Sequence, residues 1–255
     1  LMLKFFLTFS LLFLLLTPMM AQDSSSVVII EEPIINYPGK PLIMSLAVPG
    51  AGQYYNKSPM WKTASFLGVE LGSIVAWDYY KKKAKTLRDE YQGFADSNWD
   101  LYTWYLFTEN GPNGKIEHNG RQWTENVFRA MSNYEGTHHL LLHLSGDLAA
   151  QYGEFITSDS LGLISGHLNS GFVNVVRDRH FYENIGKYDQ FVGGWSDANT
   201  EWYWEEKQLE DSTEIVIKTP LKADYLDQRF NSNKMLNMAK FSITALLFNH
   251  VISGL

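Results

Sequence analysis

The sequence predicts a mainly α-helical, membrane-associated protein with a small helical domain between two apolar helices. Three observations carry that expectation. Residues 1–21 have the form of a secretory leader, residues 60–80 form an apolar stretch flanked by aromatics and lysines, and residues 234–255 form a second apolar run. Composition narrows the class further. Of 255 residues, 45% are hydrophobic and 19% charged, a mix that excludes both a disordered chain and a polytopic transporter. The net charge of −7 without a long basic stripe excludes nucleic acid as a partner. With no cysteine, the chain has no disulfide, thiol nucleophile, lipoprotein anchor or Cys-type zinc site.

The leader has a positive start at Lys4, an apolar segment from Phe5 to Leu16, and Ala21 before the expected cleavage, so that Gln22 begins the mature chain. Residues 22–40 read as an extended linker, because Pro33 and Pro38 oppose helix there. Residues 41–255 then make up the helical, membrane-associated domain. The stretch from Lys40 to Asn56 is apolar but broken by Pro49, Gly50 and Gly52. Proline removes a backbone donor, and glycine permits conformations closed to other residues, so the segment reads as a broken helix. Gln53 could satisfy the freed backbone groups. The expectation is a short re-entrant or interfacial hairpin; an ordinary turn between two soluble helices is the alternative.

The helix at 60–80 is roughly 31 Å long, close to the hydrocarbon thickness. Trp61 lies at one end, Trp77, Tyr79 and Tyr80 at the other, and Lys81, Lys82, Lys83 and Lys85 follow. The positive-inside rule places that lysine cluster in the cytoplasm. Ala64, Gly68, Gly72 and Ala76 recur every fourth residue and share a helix face, so Gly68 and Gly72 are expected to form a close helix–helix contact. Glu70 sits mid-helix among apolar neighbours and needs a partner. The final helix, expected from Lys234 with Asn231, Ser232 or Asn233 as its cap, offers Asn249 and His250. Hydrogen bonding of Glu70 to either would fasten the two helices, as a polar clamp or as a proton- or ion-handling site. Leu1 before Met2 reads as an alternative start codon or a fragmentary reading frame, and the apolar pattern runs to Leu255, with Gly254 as a possible stop and truncation as the preferred reading.

The run Ser45-Leu46-Ala47-Val48-Pro49-Gly50-Ala51-Gly52-Gln53-Tyr54-Tyr55-Asn56, followed by Trp61-Lys62, resembles an uncharacterised family of bacterial membrane proteins marked by P-G-x-G-Q-x-Y-N near the N-terminus and N-H-x-x-S near the C-terminus. The stretches Tyr182 to Phe191 with Gly194-Trp195, Arg229 to Asn233, and Leu247 to Ser253 resemble it too. The resemblance implies a bacterial envelope location, most simply the inner membrane, and singles out Pro49, Gly50, Gly52, Gln53, Tyr55, Asn56, Glu70, Asn249 and His250. It implies no chemistry.

Between the apolar helices, Gln122 to Ala150 reads as mostly helical. Glu135, His139, His143 and Asp147 are then four apart on one face, with His139 and His143 at the spacing of zinc ligands. Leu140 occupies the place of the general-base glutamate in H-E-x-x-H, so a polar stripe is the plainer reading. The acidic run Glu201 to Asp211 reads as a solvated helix face, and Thr213 to Lys218 as a short strand. No nucleophile elbow, P-loop or dinucleotide fingerprint is present. Three functions follow: a non-enzymatic membrane protein with a structural or assembly role, a metal-dependent enzyme using His139 and His143, or a soluble periplasmic binding module. The first is preferred. Its expected partners are the lipid bilayer and other membrane proteins or a second copy, with no cofactor.

Overall fold

Two long helices set the frame, and each is longer than its sequence pattern indicates. The structure, a computed structural model, describes residues 39–110, 117–118, 121–122, 138–208, 210 and 212–255. The leader at 1–21, nearly all of the linker at 22–40, and Glu135 lie outside the described residues. The chain described is mainly helical.

A broken helix comes first, as expected. Helix α1 covers Gly39–Ala47 and α2 covers Ala51–Tyr55. Pro41 sits in the first turn of α1, where its missing N–H leaves no bond unmade. Pro49 disfavours helical backbone at Val48 and ends α1. Gly50 takes φ 91°, a left-handed conformation, and a Cβ there would press on the Thr63 carbonyl at 2.9 Å. Gly39 and Lys40 lie in the first turn of this helix rather than at the end of a linker.

Helix α3 runs from Met60 to Asn98 without interruption, about 58 Å at 1.5 Å per residue. The helix passes through Gly93 without a break. The helix ends instead at Trp99, whose extended backbone (φ −119°, ψ 129°) turns the chain into α4, Leu101–Asn110. The final helix, α8, covers Pro220–Gly254 and so begins well before Lys234. Thr219 is its cap, accepting a bond from the Lys222 amide at 3.0 Å, with Pro220 in the first turn. Asn231, Ser232 and Asn233 are interior residues of this helix, not caps.

Helices α3 and α8 form an antiparallel pair. The Ser232 hydroxyl donates to the Ala84 carbonyl (2.9 Å), Tyr91 meets Tyr225 edge-on (5.6 Å between rings), and Asn249 reaches Phe66 and Glu70. Burial along the seam repeats every seven residues. On α3 it falls at Thr63, Ala84 and Tyr91, with Glu70 and Trp77 half-buried between them, and on α8 at Tyr225, Ser232, Ala239 and Ser253, with Leu246 half-buried. Seven is the period of a coiled coil.

The region between the long helices is a mixed α/β head, with more strand than the small, mainly helical domain expected. Two-residue strands β1 (Glu117–His118) and β2 (Arg121–Gln122) pair with each other. Strand β3 (Leu141–Leu144) is central to an antiparallel sheet with β4 (Phe155–Thr157) and β5 (Val173–Val175). Leu142 stands opposite Ile156 and Val175. Helix α5 (Gly146–Tyr152) and the short α6 (Leu161–Ile164) surround it, and α7 spans Arg179–Lys187. Asp178 caps α7 by accepting from the Phe181 amide. Strands β6 (Tyr203–Gln208) and β7 (Thr213–Lys218) form a hairpin. The acidic run read as a helix face is therefore largely a strand, while Thr213–Lys218 is a strand as expected.

The head packs around aromatics. Trp99, Trp104, Phe107, Phe181, Phe191, Trp195 and Trp202 are buried, and the indole N–H of Trp99 donates to the Phe191 carbonyl at 3.0 Å. Gly193 and Gly194 lie so close to Phe107 and Trp99 that a Cβ at either would overlap a ring. Lys222, on the first turn of α8, is fully buried; its ammonium meets Asp189 (3.0 Å) and the Ile217 carbonyl (2.7 Å). Burial lowers its pKa against the pull of Asp189.

Candidate functional site

The polar groups of the α1–α3–α8 end converge on one cluster. Glu70 is on the α3 seam, and Asn249, His250 and Ser253 project from the last turns of α8. Ser45 comes from α1 and Gln53 from α2. The Asn249 amide donates to Glu70 Oε2 (3.1 Å) and to the Phe66 carbonyl (2.9 Å). His250 Nε2 lies 3.1 Å from Glu70 Oε1, and its Nδ1 lies 2.7 Å from the Leu46 carbonyl. The anticipated contact of Glu70 with the final helix is present, and both Asn249 and His250 make it.

These distances fix how the protons are placed. A carbonyl only accepts, so His250 Nδ1 carries a hydrogen. One more proton lies between Nε2 and Oε1. It belongs either to an imidazolium facing a carboxylate or to a carboxylic acid facing a neutral ring, and the pair is electrically neutral in both cases. Asn249 donates to the remaining carboxyl oxygen. A glutamate in an apolar stretch is thereby balanced without a free charge.

A second set of bonds ties the broken helix to the same place. The Gly50 amide donates to the Ser253 hydroxyl (2.6 Å), and the Gln53 amide donates to the Ser253 carbonyl (2.7 Å). Ser45 accepts from the Gly52 amide (2.9 Å) and donates to Gln53 Oε1 (3.1 Å). Thr63 donates to the Gly50 carbonyl at 3.3 Å. The backbone groups that Pro49 and Gly50 free from helical bonding are thus met by Ser253 and Thr63, while Gln53 braces the last turn of α8. Tyr55 and Asn56 lie at the exit of α2, both exposed, with the Lys40 ammonium 4.9 Å from the Tyr55 ring. Ser45, Thr63 and Ser253 were not anticipated as members. Ser253 follows Asn249 by one helical turn, which was the available signal.

The other sequence candidates do not join this cluster. Gly68 and Gly72 face open space, with nothing within 4 Å of a Cβ at either, so the close contact expected of them is not made within the chain. The seam lies on the other side of α3. His143 is in strand β3, His139 precedes it and Asp147 is in α5, so the shared helix face proposed for these three residues does not exist. His139 pairs with Asp159 at 2.8 Å and His143 with Glu154 at 3.5 Å. Among the described residues, no group of three His, Asp or Glu side chains could hold a metal ion.

In the head, Asp96 accepts from Arg177 (2.6 Å) and from the Tyr182 hydroxyl (2.9 Å). Burial, reinforced by that carboxylate, pushes the Tyr182 phenol up to about 12. The Tyr225 hydroxyl donates to the Tyr182 carbonyl at 2.5 Å, and burial raises its pKa as well. These bonds lock α7 between α3 and α8.

The α8 helix is long and apolar enough to cross a membrane, and only 11% of its most apolar stretch is buried by the rest of the chain. No curated protein and no solved structure matches the chain. Residues 35–146, which carry the broken helix and Glu70 but not Asn249 and His250, are similar to a family of unknown function (DUF5683).

Proposed function

We propose that this chain is an envelope protein anchored in the bacterial inner membrane, with a structural or assembly role and no catalysis. The observation that carries the reading is an inversion of polarity at one end of the α3–α8 pair. There the seam is polar or small, with Thr63, Ser73, Asn249 and Ser253 buried. The outside is apolar: Val75 is 68% exposed, Phe248 61%, and Leu71, Leu247 and Ile252 are exposed too. Water favours the reverse arrangement, whereas lipid favours this one, where small and polar residues hold helices together. Trp61 and Tyr79 bracket roughly 27 Å of α3, near the hydrocarbon thickness. Lysines flank both ends: Lys40, Lys57 and Lys62 at one, Lys81 to Lys85 at the other.

In this reading α1 and α2 form a re-entrant hairpin whose open backbone is sealed by Ser253 and Thr63. The head lies on the side of the Lys81–Lys85 cluster, the cytoplasmic side by the positive-inside rule. Carbonate extraction of isolated membranes tests the anchor: retention in the pellet is expected. Release into the supernatant would leave the soluble binding module as the better account. A reporter fused after Arg88 is expected to read cytoplasmic, and a periplasmic signal would reverse the orientation.

A further inference from the structure

We infer that the head-side end of the helix pair carries a binding site for anionic phospholipid, with one lipid seated in a groove on the outer face of α3. The inference rests on the membrane reading above and deepens it. Three observations support it: a cationic collar, its geometry around the helix, and an amphipathic groove running through it.

The collar is narrow, and its acids, Asp78 and Asp89, stand at its two edges. Lys81, Lys82, Lys83 and Lys85 span about 6 Å along α3. The Ser232–Ala84 bond sets the register of the antiparallel partner, which places Lys234 of α8 at the level of Lys82. All five lysines are exposed. No acidic residue occurs between Tyr79 and Arg88 on α3, nor after Asp227 on α8. In a chain of net charge −7, this is a local reversal of sign.

The lysines also point in different directions. Successive helical residues are turned by about 100°, so Lys81, Lys82 and Lys83 fan around most of the exposed circumference. A protein partner docking on one side could not meet all three. A layer of headgroups surrounding the helix meets every one. The attached carboxylates are weak competitors: Asp78 pairs with Lys82 (2.7 Å) and Asp89 with Lys85 (2.6 Å), but each of these side chains is more than half exposed. Such surface pairs contribute little, and a phosphate can displace them.

The groove supplies the second half of the ligand. It has a volume of about 540 Å³ and runs along the outer face of α3. Its deeper wall is Ile74, Val75 and Tyr79, its upper wall is Lys82, Lys83 and Thr86, and Asp78, the partner of Lys82, lies between them. Apolar wall below and ammonium groups above match an acyl chain below a phosphate. Zwitterionic lipid carries its own compensating cation and satisfies the lysines less well, so selectivity for an anionic headgroup follows.

The full chain is reconstituted in phosphatidylcholine membranes containing spin-labelled phosphatidylglycerol or spin-labelled phosphatidylcholine, and the motionally restricted fraction of each probe is measured. The expected result is a preference for the glycerol lipid of roughly fivefold or more, on the scale of one surface lysine. It should fall toward unity in Lys82→Gln/Lys83→Gln and in about 0.5 M salt. Asp78→Asn frees Lys82 and should raise the preference, a direction that a loss of fold cannot produce. Equal restriction of both probes by the unmodified chain overturns the lipid site and makes the collar a surface for a protein instead. An unchanged preference in the double variant overturns it too. Failure of the membrane reading looks different, since neither probe is then restricted at all.

Discussion

The two ends of the α3–α8 pair are built on opposite principles. Toward the head, the seam is aromatic: Tyr91 and Tyr225 meet, and beyond them Trp99, Trp104 and Trp195 are sealed from solvent. Toward Leu255, the seam is Thr63, Ser73, Asn249 and Ser253, and the large apolar side chains point outward. One pair of helices, in one continuous register, thus hides its apolar groups at one end and displays them at the other. The change falls near the lysine collar. On the membrane reading, the surroundings rather than the helix decide which face is buried.

Substitutions at the two ends should separate these principles. The largest effect is expected in the head: Trp104→Ala or Trp195→Ala, both sites fully buried, should cost about 3–5 kcal/mol in denaturant unfolding. The comparable truncation Phe248→Ala at the other end should cost less than about 1 kcal/mol in detergent, since Phe248 packs little against the chain. A Phe248 cost equal to that of the tryptophans would abolish the contrast.

Next in size is the polar cluster. Glu70→Gln should destabilise by about 1–3 kcal/mol, because His250 loses its proton-sharing partner. A double-mutant cycle with His250→Ala should show coupling of about 0.5 kcal/mol or more, as should one with Asn249→Ala. Strict additivity in both cycles would show that the contacts hold nothing together.

A pH effect is expected in the head. The Tyr182 phenol is raised in the folded state to about 12, against an ordinary value of 10.0. The folded state therefore favours the protonated form. That contribution is fully present below pH 10 and is lost as pH rises through about 12. Alkaline titration of stability should fall in that window, and Tyr182→Phe should flatten it.

The smallest effect is expected at Gly68 and Gly72. Replacing both by Leu should change the unfolding free energy by no more than about 0.5 kcal/mol, since a side chain there meets nothing in the chain. A loss of 1–3 kcal/mol would restore the close contact that the four-residue spacing suggests.

The sequence made the broken helix at 39–55 legible, because Pro49, Gly50 and Gly52 each have a backbone reason to be there. It also pointed to the meeting of Glu70 with Asn249 and His250, because a mid-helix carboxyl in apolar company needs a donor. The seven-residue repeat was hidden: its positions hold Thr63, Ala84, Ser232, Ala239 and Ser253, and periodicity is read from apolar residues. Strand β6 was missed since Glu205, Glu206 and Lys207 look solvated, though they alternate faces in a two-stranded hairpin. Around His139 and His143, the buried Leu140, Leu142 and Leu144 carried a strand's alternation, which Leu141 masked. The start of α8 was lost because Asp224, Asp227 and Arg229 interrupt the apolar pattern, while Thr219-Pro220 was a sufficient start signal.

The uninterrupted length of α3 has a mechanical consequence. From Tyr79 to Asn98 the helix extends about 28 Å with no hinge, and α8 runs beside it, hydrogen-bonded from Ser232 to Ala84 and with Tyr225 packed against Tyr91. Two helices clamped together resist bending far more than one, so this stretch behaves as a strut. A tilt of about 20° at its base would swing its head end sideways by roughly 10 Å. The head has no freedom to stay level while the shaft leans, and its displacement reports the angle of the base as a pointer reports the turn of its axle.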